Sequence, residues 1–155
     1  MKTDNPYKES MRYIDNAREI LKQLDNEDGF YLDKKNLKIG CRTAYKGILK
    51  ALDFLFDIKK VAKKRGRKSI EYYLDNLEEI DRILFLHLNT AYRFLYLGGV
   101  DSIKVIEECI DSAISIINAL KPYSNNGNDW YMLDFPSLAN LESLYRKWIS
   151  RYAKK

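Results

Sequence analysis

One histidine, two cysteines and three prolines are all that 155 residues supply of those types, and each shortage narrows the chemistry. A single histidine, His87, leaves a metal site to carboxylates, and neither Glu-x-x-His nor His-x-x-x-His occurs. Cys41 and Cys109 stand alone with no CxxC pair, which argues against a disulfide framework or a structural zinc. No apolar run nears the ~20 residues that a bilayer span needs, because charges interrupt every segment. The opening residues, MKTDNPYKES, lack the apolar stretch of a secretion signal. There is no glycine-rich phosphate loop, since Gly98-Gly99 reads as a helix stop. The expectations are cytoplasmic residence, no membrane contact, no metal and no cofactor.

What is present is the material of one soluble folded domain: 46% hydrophobic residues and 32% charged. The net charge of +5 hints at nucleic acid until it is located. The stretch KKVAKKRGRK holds seven basic residues, Lys59, Lys60, Lys63, Lys64, Arg65, Arg67 and Lys68, and no acidic one. Without them the chain carries 20 basic against 22 acidic residues. The basicity is therefore a local feature and says nothing about the rest of the surface.

Apolar spacing of three and four residues predicts five helices. The first opens at Pro6 behind a cap at Asn5 or Asp4, presents Tyr7, Met11, Ile14, Ala17, Leu21 and Leu24, and ends by Gly29. The second runs from about Asp33 to about Val61. In it Gly40 and Gly47 lie near the apolar stripe, where two unfavourable glycines suggest close approach of a neighbouring helix. Ser69 caps a third segment that reaches Gly98-Gly99, nearly 30 residues long, with a break expected near Glu78, Glu79 and Asp81. Asp101 is the expected cap of the fourth, with Val100 and Val105 as its hydrophobic staple and Lys121-Pro122 as its stop. An aromatic loop carrying Trp130, Tyr131 and Phe135 then leads to a last helix from Ser137. Leu37, Ala44, Ile48, Leu52, Leu84, Ile106, Ile110 and Ile117 are expected in one core. No strand is expected. The fold class is all-α, a single-domain bundle of about five to six helices, with a core over 1–122 and the loop and helix of 123–155 packed on it.

Four stretches, NPYKESMRYIDNAREILK, CRTAYKGILKALDFL, GRKSIEYYLDNL and LNTAYRFLYLGGVD, resemble a family of small uncharacterised bacterial helical proteins, a domain of unknown function. The likeness covers about Asn5 to Leu120. More distantly, the layout is similar to HEPN bundles, in which a helix like TAYKGILKALDFL packs against a later helix bearing Ala-Tyr. That second resemblance implies an up-and-down bundle that forms homodimers and partners small nucleotidyltransferases. It also implies a metal-independent ribonuclease or toxin in those members that carry an arginine followed four to six residues on by a histidine.

Arg82 and His87 fit that spacing. Histidine can move a proton near neutral pH as a 2′-hydroxyl attacks phosphate, and arginine can grip the phosphate. Against this, the intervening Ile83, Leu84, Phe85 and Leu86 are all bulky and apolar. Five residues also turn a helix 140° beyond one full turn, so the pair shares a face poorly within one chain. Packing at a helix edge is the preferred reading of His87, and catalysis the alternative. A cysteine nucleophile would need His87 beside Cys41 or Cys109, both on apolar stripes. Glu78, Glu79 and Asp81 read as a solvated face. The basic loop is the strongest binding feature, suited to RNA or DNA phosphates without regard to sequence. The expected function is a non-enzymatic binding or partner module.

Overall fold

In the computed structural model, which describes residues 5–62 and 66–127, Asn5 is the cap of α1 (Pro6–Lys22). Its side-chain oxygen accepts from the Lys8 N–H at 3.1 Å, and Pro6 occupies the first turn, where no N–H is needed. Ser10, Ile14, Ala17 and Leu21 form the buried stripe.

A short hairpin follows, and it corrects the expectation of no strand. Strands β1 (Asn26–Glu27) and β2 (Phe30–Tyr31) pair antiparallel, Asn26 opposite Tyr31 and Glu27 opposite Phe30. The turn is Asp28-Gly29, with φ of 53° and 87°. Asp-Gly is a strong hairpin signal because both turn positions need positive φ. The strands are too short for alternation to reveal them. The hairpin is fastened to the approach to α5: Tyr31 N–H donates to the Asp101 carbonyl at 2.9 Å, and Ile103 N–H to the Gly29 carbonyl at 3.0 Å.

Helix α2 (Lys34–Ile58) is capped by Asp33, which accepts from Asn36 N–H at 3.0 Å. It lies antiparallel to α1, since Gly40 meets Leu21 and Ile20 while Gly47 meets Tyr13 and Ser10. The close approach expected at the two glycines is there.

The long third segment divides where its acidic patch lies. Helices α3 (Ile70–Ile80) and α4 (Arg82–Ala91) meet at Asp81, whose backbone is extended at φ −160° and ψ 106°. Its carboxylate accepts from Ile83 N–H at 2.9 Å and Leu84 N–H at 3.2 Å, so one residue ends a helix and caps the next. The chain then loosens into a π-helix over Tyr92–Leu97, ended by Gly98 and Gly99 at φ 81° and 87°.

Helix α5 (Ile103–Ile117) starts one residue later than expected. Its cap is Ser102, whose hydroxyl accepts from Val105 N–H at 3.4 Å, while Asp101 gives its carbonyl to the hairpin. Val100 and Val105 therefore lose the staple positions. A 3-10 helix, Asn118–Gly127, continues through Pro122, so α5 stops before Lys121-Pro122 and not at it.

Helix α2 packs on α1 and α5, α5 on α4, and α4 on α3. The fold is an all-α bundle. All eight expected core residues belong to one buried cluster, with Ala44, Ile48, Leu52, Ile106 and Ile117 wholly inaccessible. Among the described residues no helix is long and apolar enough to cross a membrane. Trp130, Tyr131, Phe135 and the helix expected from Ser137 lie outside the described residues.

Candidate functional site

Arg82 and His87 sit one and a half turns apart on α4, and each is engaged by a different element. Arg82, the first residue of the helix, is exposed. Its Nη1 pairs with Glu78 Oε2 of α3 at 3.0 Å, and the guanidinium lies 5.5 Å from the centre of the Phe85 ring. His87 is half-buried and turned toward α5, its Nδ1 lying 3.2 Å from Ser112 Oγ. Burial pushes its pKa below the usual 6.5, with the negative charge of Asp81 opposing. At neutral pH the imidazole is therefore uncharged, a state in which it can accept a proton but cannot attract phosphate. Glu78, which would have to release Arg82 before the guanidinium could take an anion, is spent on an exposed i,i+4 pair worth only ~0.3–0.5 kcal/mol.

The basic loop is built differently. Lys59 ends α2, its N–H donating to the Leu55 carbonyl at 2.9 Å, and Lys60 turns the chain with φ 59°. The incoming strand of the loop is then pinned twice. Val61 N–H donates to the Phe56 carbonyl at 2.9 Å, and the Tyr72 hydroxyl donates to the Ala62 carbonyl at 3.3 Å. The outgoing end is pinned by Asp53, whose Oδ1 accepts from Lys68 Nζ and from the Tyr73 hydroxyl, both at 2.9 Å. Burial, and then the bond to Asp53, raise the Tyr73 pKa, so the phenol keeps its proton to donate. Ser69 closes the unit by capping α3. Lys59, Lys60 and Arg67 are exposed, whereas Lys68 is committed to Asp53. Lys63, Lys64 and Arg65 lie outside the described residues.

The cysteines are unsuited to nucleophilic work. Both are buried, and burial pushes each thiol up to about 11, with each thiol held protonated at neutral pH. Among the described residues no group of three or more His, Cys, Asp or Glu side chains could hold a metal ion.

The π-helix is a feature that sequence periodicity missed. Its Tyr92 and Tyr96 rings stack at 5.4 Å and 14°, and both meet Tyr45 of α2, at 6.0 and 5.2 Å. Arg42 covers the outer ring, 4.7 Å from the Tyr96 centroid, and donates from Nη2 to the Tyr96 carbonyl at 3.4 Å. Tyr96 lies in the last turn of this helix, where carbonyls lack an intrahelical partner and a side-chain donor can serve them. The i,i+4 spacing of Tyr92 and Tyr96 fits an α-helix as well, so local pattern carried no signal of the wider turn.

Fold and sites together define a small all-α bundle with a basic loop held at both ends. The chain belongs to the family described as a domain of unknown function (DUF5618), whose profile matches residues 5–121. Among solved structures it is similar to a protein of unknown function from Dyadobacter fermentans, with 34% sequence identity over 74% of this chain and 93% of that chain, at a TM-score of 0.68. None of the curated proteins matches it.

Proposed function

We propose that the protein is a non-enzymatic binding module that contacts nucleic-acid phosphates through the loop joining α2 and α3. The observation that carries this reading is the clamping of the loop at both ends, by Tyr72 on the Ala62 carbonyl and by Asp53 on Lys68. Both ends of the connector are thereby tied to helix side chains, Tyr72 of α3 and Asp53 of α2. Holding the ends lowers the ordering entropy lost when phosphates bind the cations between them. Lys59, Lys60 and Arg67 supply the contacts, with Lys63, Lys64 and Arg65 adding charge by sequence. The seven basic residues of this connector stand close together with no acidic one among them, and the rest of the sequence carries 20 basic against 22 acidic residues.

The alternative is a metal-independent ribonuclease using Arg82 and His87. It fits less well, because the two side chains are turned to different neighbours, Arg82 to Glu78 of α3 and His87 to Ser112 of α5. A homodimer and a nucleotidyltransferase-type partner are further proposals within the same reading, checked by light scattering and by co-purification. The direct test is fluorescence anisotropy of a labelled single-stranded RNA and of its DNA counterpart at low salt. Saturable binding that Lys59→Gln/Lys60→Gln/Arg67→Gln weakens, with an unchanged melting temperature, is expected. No binding by the wild-type chain would end the proposal.

A further inference from the structure

Between the first turns of α2 and the end of the π-helix lies an open cleft of about 250 Å³. It is independent of the basic loop. Its floor is apolar, made by Leu37, Cys41 and Leu95, all buried, and Leu97, 59% exposed, stands at its wall. Exposed leucine beside a buried apolar floor marks a surface that an apolar group could cover. The volume exceeds the ~150 Å³ of a dry cavity that admits benzene, and falls just short of the ~300 Å³ at which drug-sized pockets begin. A ring or short chain with one polar end is the right size.

The polar end is set by charge. Lys34 and Lys38 line the cleft one turn apart on α2. Neither is held by an ion pair or hydrogen bond among the described residues. On the opposite rim Gly98 and Gly99 leave the backbone uncovered, with no atom within 4 Å of where either Cβ would stand. Asp101 also lies on the lining. Two ammonium groups against one carboxylate favour a monoanion, and the nearby Asp101 disfavours a phosphate dianion by like-charge repulsion.

We infer that this cleft binds a small apolar carboxylate, its hydrocarbon body on Leu37, Leu95 and Leu97 and its charged end between Lys34 and Lys38. The purified full chain is titrated with 4-phenylbutyrate, with the neutral 4-phenylbutanamide and with acetate, followed by amide NMR. Saturable shifts at Gly98 and Gly99 are expected with 4-phenylbutyrate, about tenfold weaker binding of the amide, and none of acetate. Lys34→Gln/Lys38→Gln should weaken 4-phenylbutyrate by about tenfold or more. Lys35→Gln, on the same helix but off the cleft, should leave affinity and melting temperature alone. N-acetyl-leucylleucine separates a free acid from a peptide C-terminus, and tighter binding of it than of 4-phenylbutyrate overturns the assignment. So does equal binding of acid and amide, undiminished binding by the double variant, or no shift at either glycine.

Discussion

Gly47 of α2 faces the backbone carbonyl of Ser10 of α1 so closely that a Cβ at that position would stand 3.0 Å from the oxygen, and 2.9 Å from Tyr13 Cβ. Neither obstacle is the end of a flexible side chain, so the two helices must part to admit a methyl group. At Gly40 the neighbours are side-chain atoms, Leu21 Cδ2 at 2.8 Å, Leu21 Cγ at 3.1 Å and Ile20 Cγ2 at 3.3 Å, which can give way by a shift of side chains without moving backbone. Alanine gains ~1 kcal/mol of helix propensity at either site. Gly47→Ala is therefore expected to lose about 1–3 kcal/mol in chemical denaturation, and Gly40→Ala to stay within about 1 kcal/mol of wild type. Equal losses at both would mean that the α1–α2 crossing is not set at Gly47.

The same crossing holds an anomaly. The Ser10 hydroxyl is fully buried and has no hydrogen-bond partner among the described residues. A buried donor without a partner is a net burden of about 1–3 kcal/mol. Ser10→Ala should leave stability unchanged or raise it, and a loss above about 1 kcal/mol would reveal a bond to the hydroxyl.

Leu52 is inaccessible and Ile110 nearly so, on the two central helices. Alanine at either should cost about 2–5 kcal/mol, the usual range for emptying a core site. Thermal or urea unfolding of both variants checks the assignment of helix faces, which a cost below about 1 kcal/mol at both would contradict.

His87 makes a pH prediction with a definite sign. Its pKa lies below the usual 6.5 in the folded chain, so the unfolded chain binds more protons as pH drops through that value. The stability it contributes is complete above about pH 6.5 and is lost on acidification toward the folded pKa. Melting temperature should fall between about pH 7 and pH 5 in wild type, and fall less in His87→Gln. Parallel curves would mean that burial does not control this histidine. His87→Ala should also lose about 1–2 kcal/mol with its Ser112 contact, and wild-type protein should leave RNA uncut in the presence of chelator. Cleavage that His87→Ala abolishes would reinstate the nuclease reading.

Much of the scaffold was legible because long amphipathic helices announce themselves by spacing, and Gly40 and Gly47 by their unfavourable presence in one of them. The break at Asp81 was legible too, since an acidic residue before an apolar run is a cap. The hairpin escaped because two residues per strand cannot show alternation, though Asp28-Gly29 carried its turn. Ser102 displaced Asp101 as cap for a tertiary reason, the claim of Tyr31 on the Asp101 carbonyl. The sites were less legible still. Arg82 and His87 met the spacing of a motif, but their actual partners, Glu78 and Ser112, depend on which neighbouring helix each side chain faces. The clamps on the basic loop join Tyr72 and Asp53 across ten and fifteen residues, beyond the reach of local pattern.

The most direct measurement of the central claim is the salt dependence of oligonucleotide binding. Each phosphate neutralised releases counterions, giving a slope of log affinity against log salt of about −0.7 per contact on single strands. Wild type should show a steep negative slope, and removing the three cations of Lys59, Lys60 and Arg67 should make it shallower by about 2. A slope that is flat in wild type, or unchanged in the triple variant, would contradict the account.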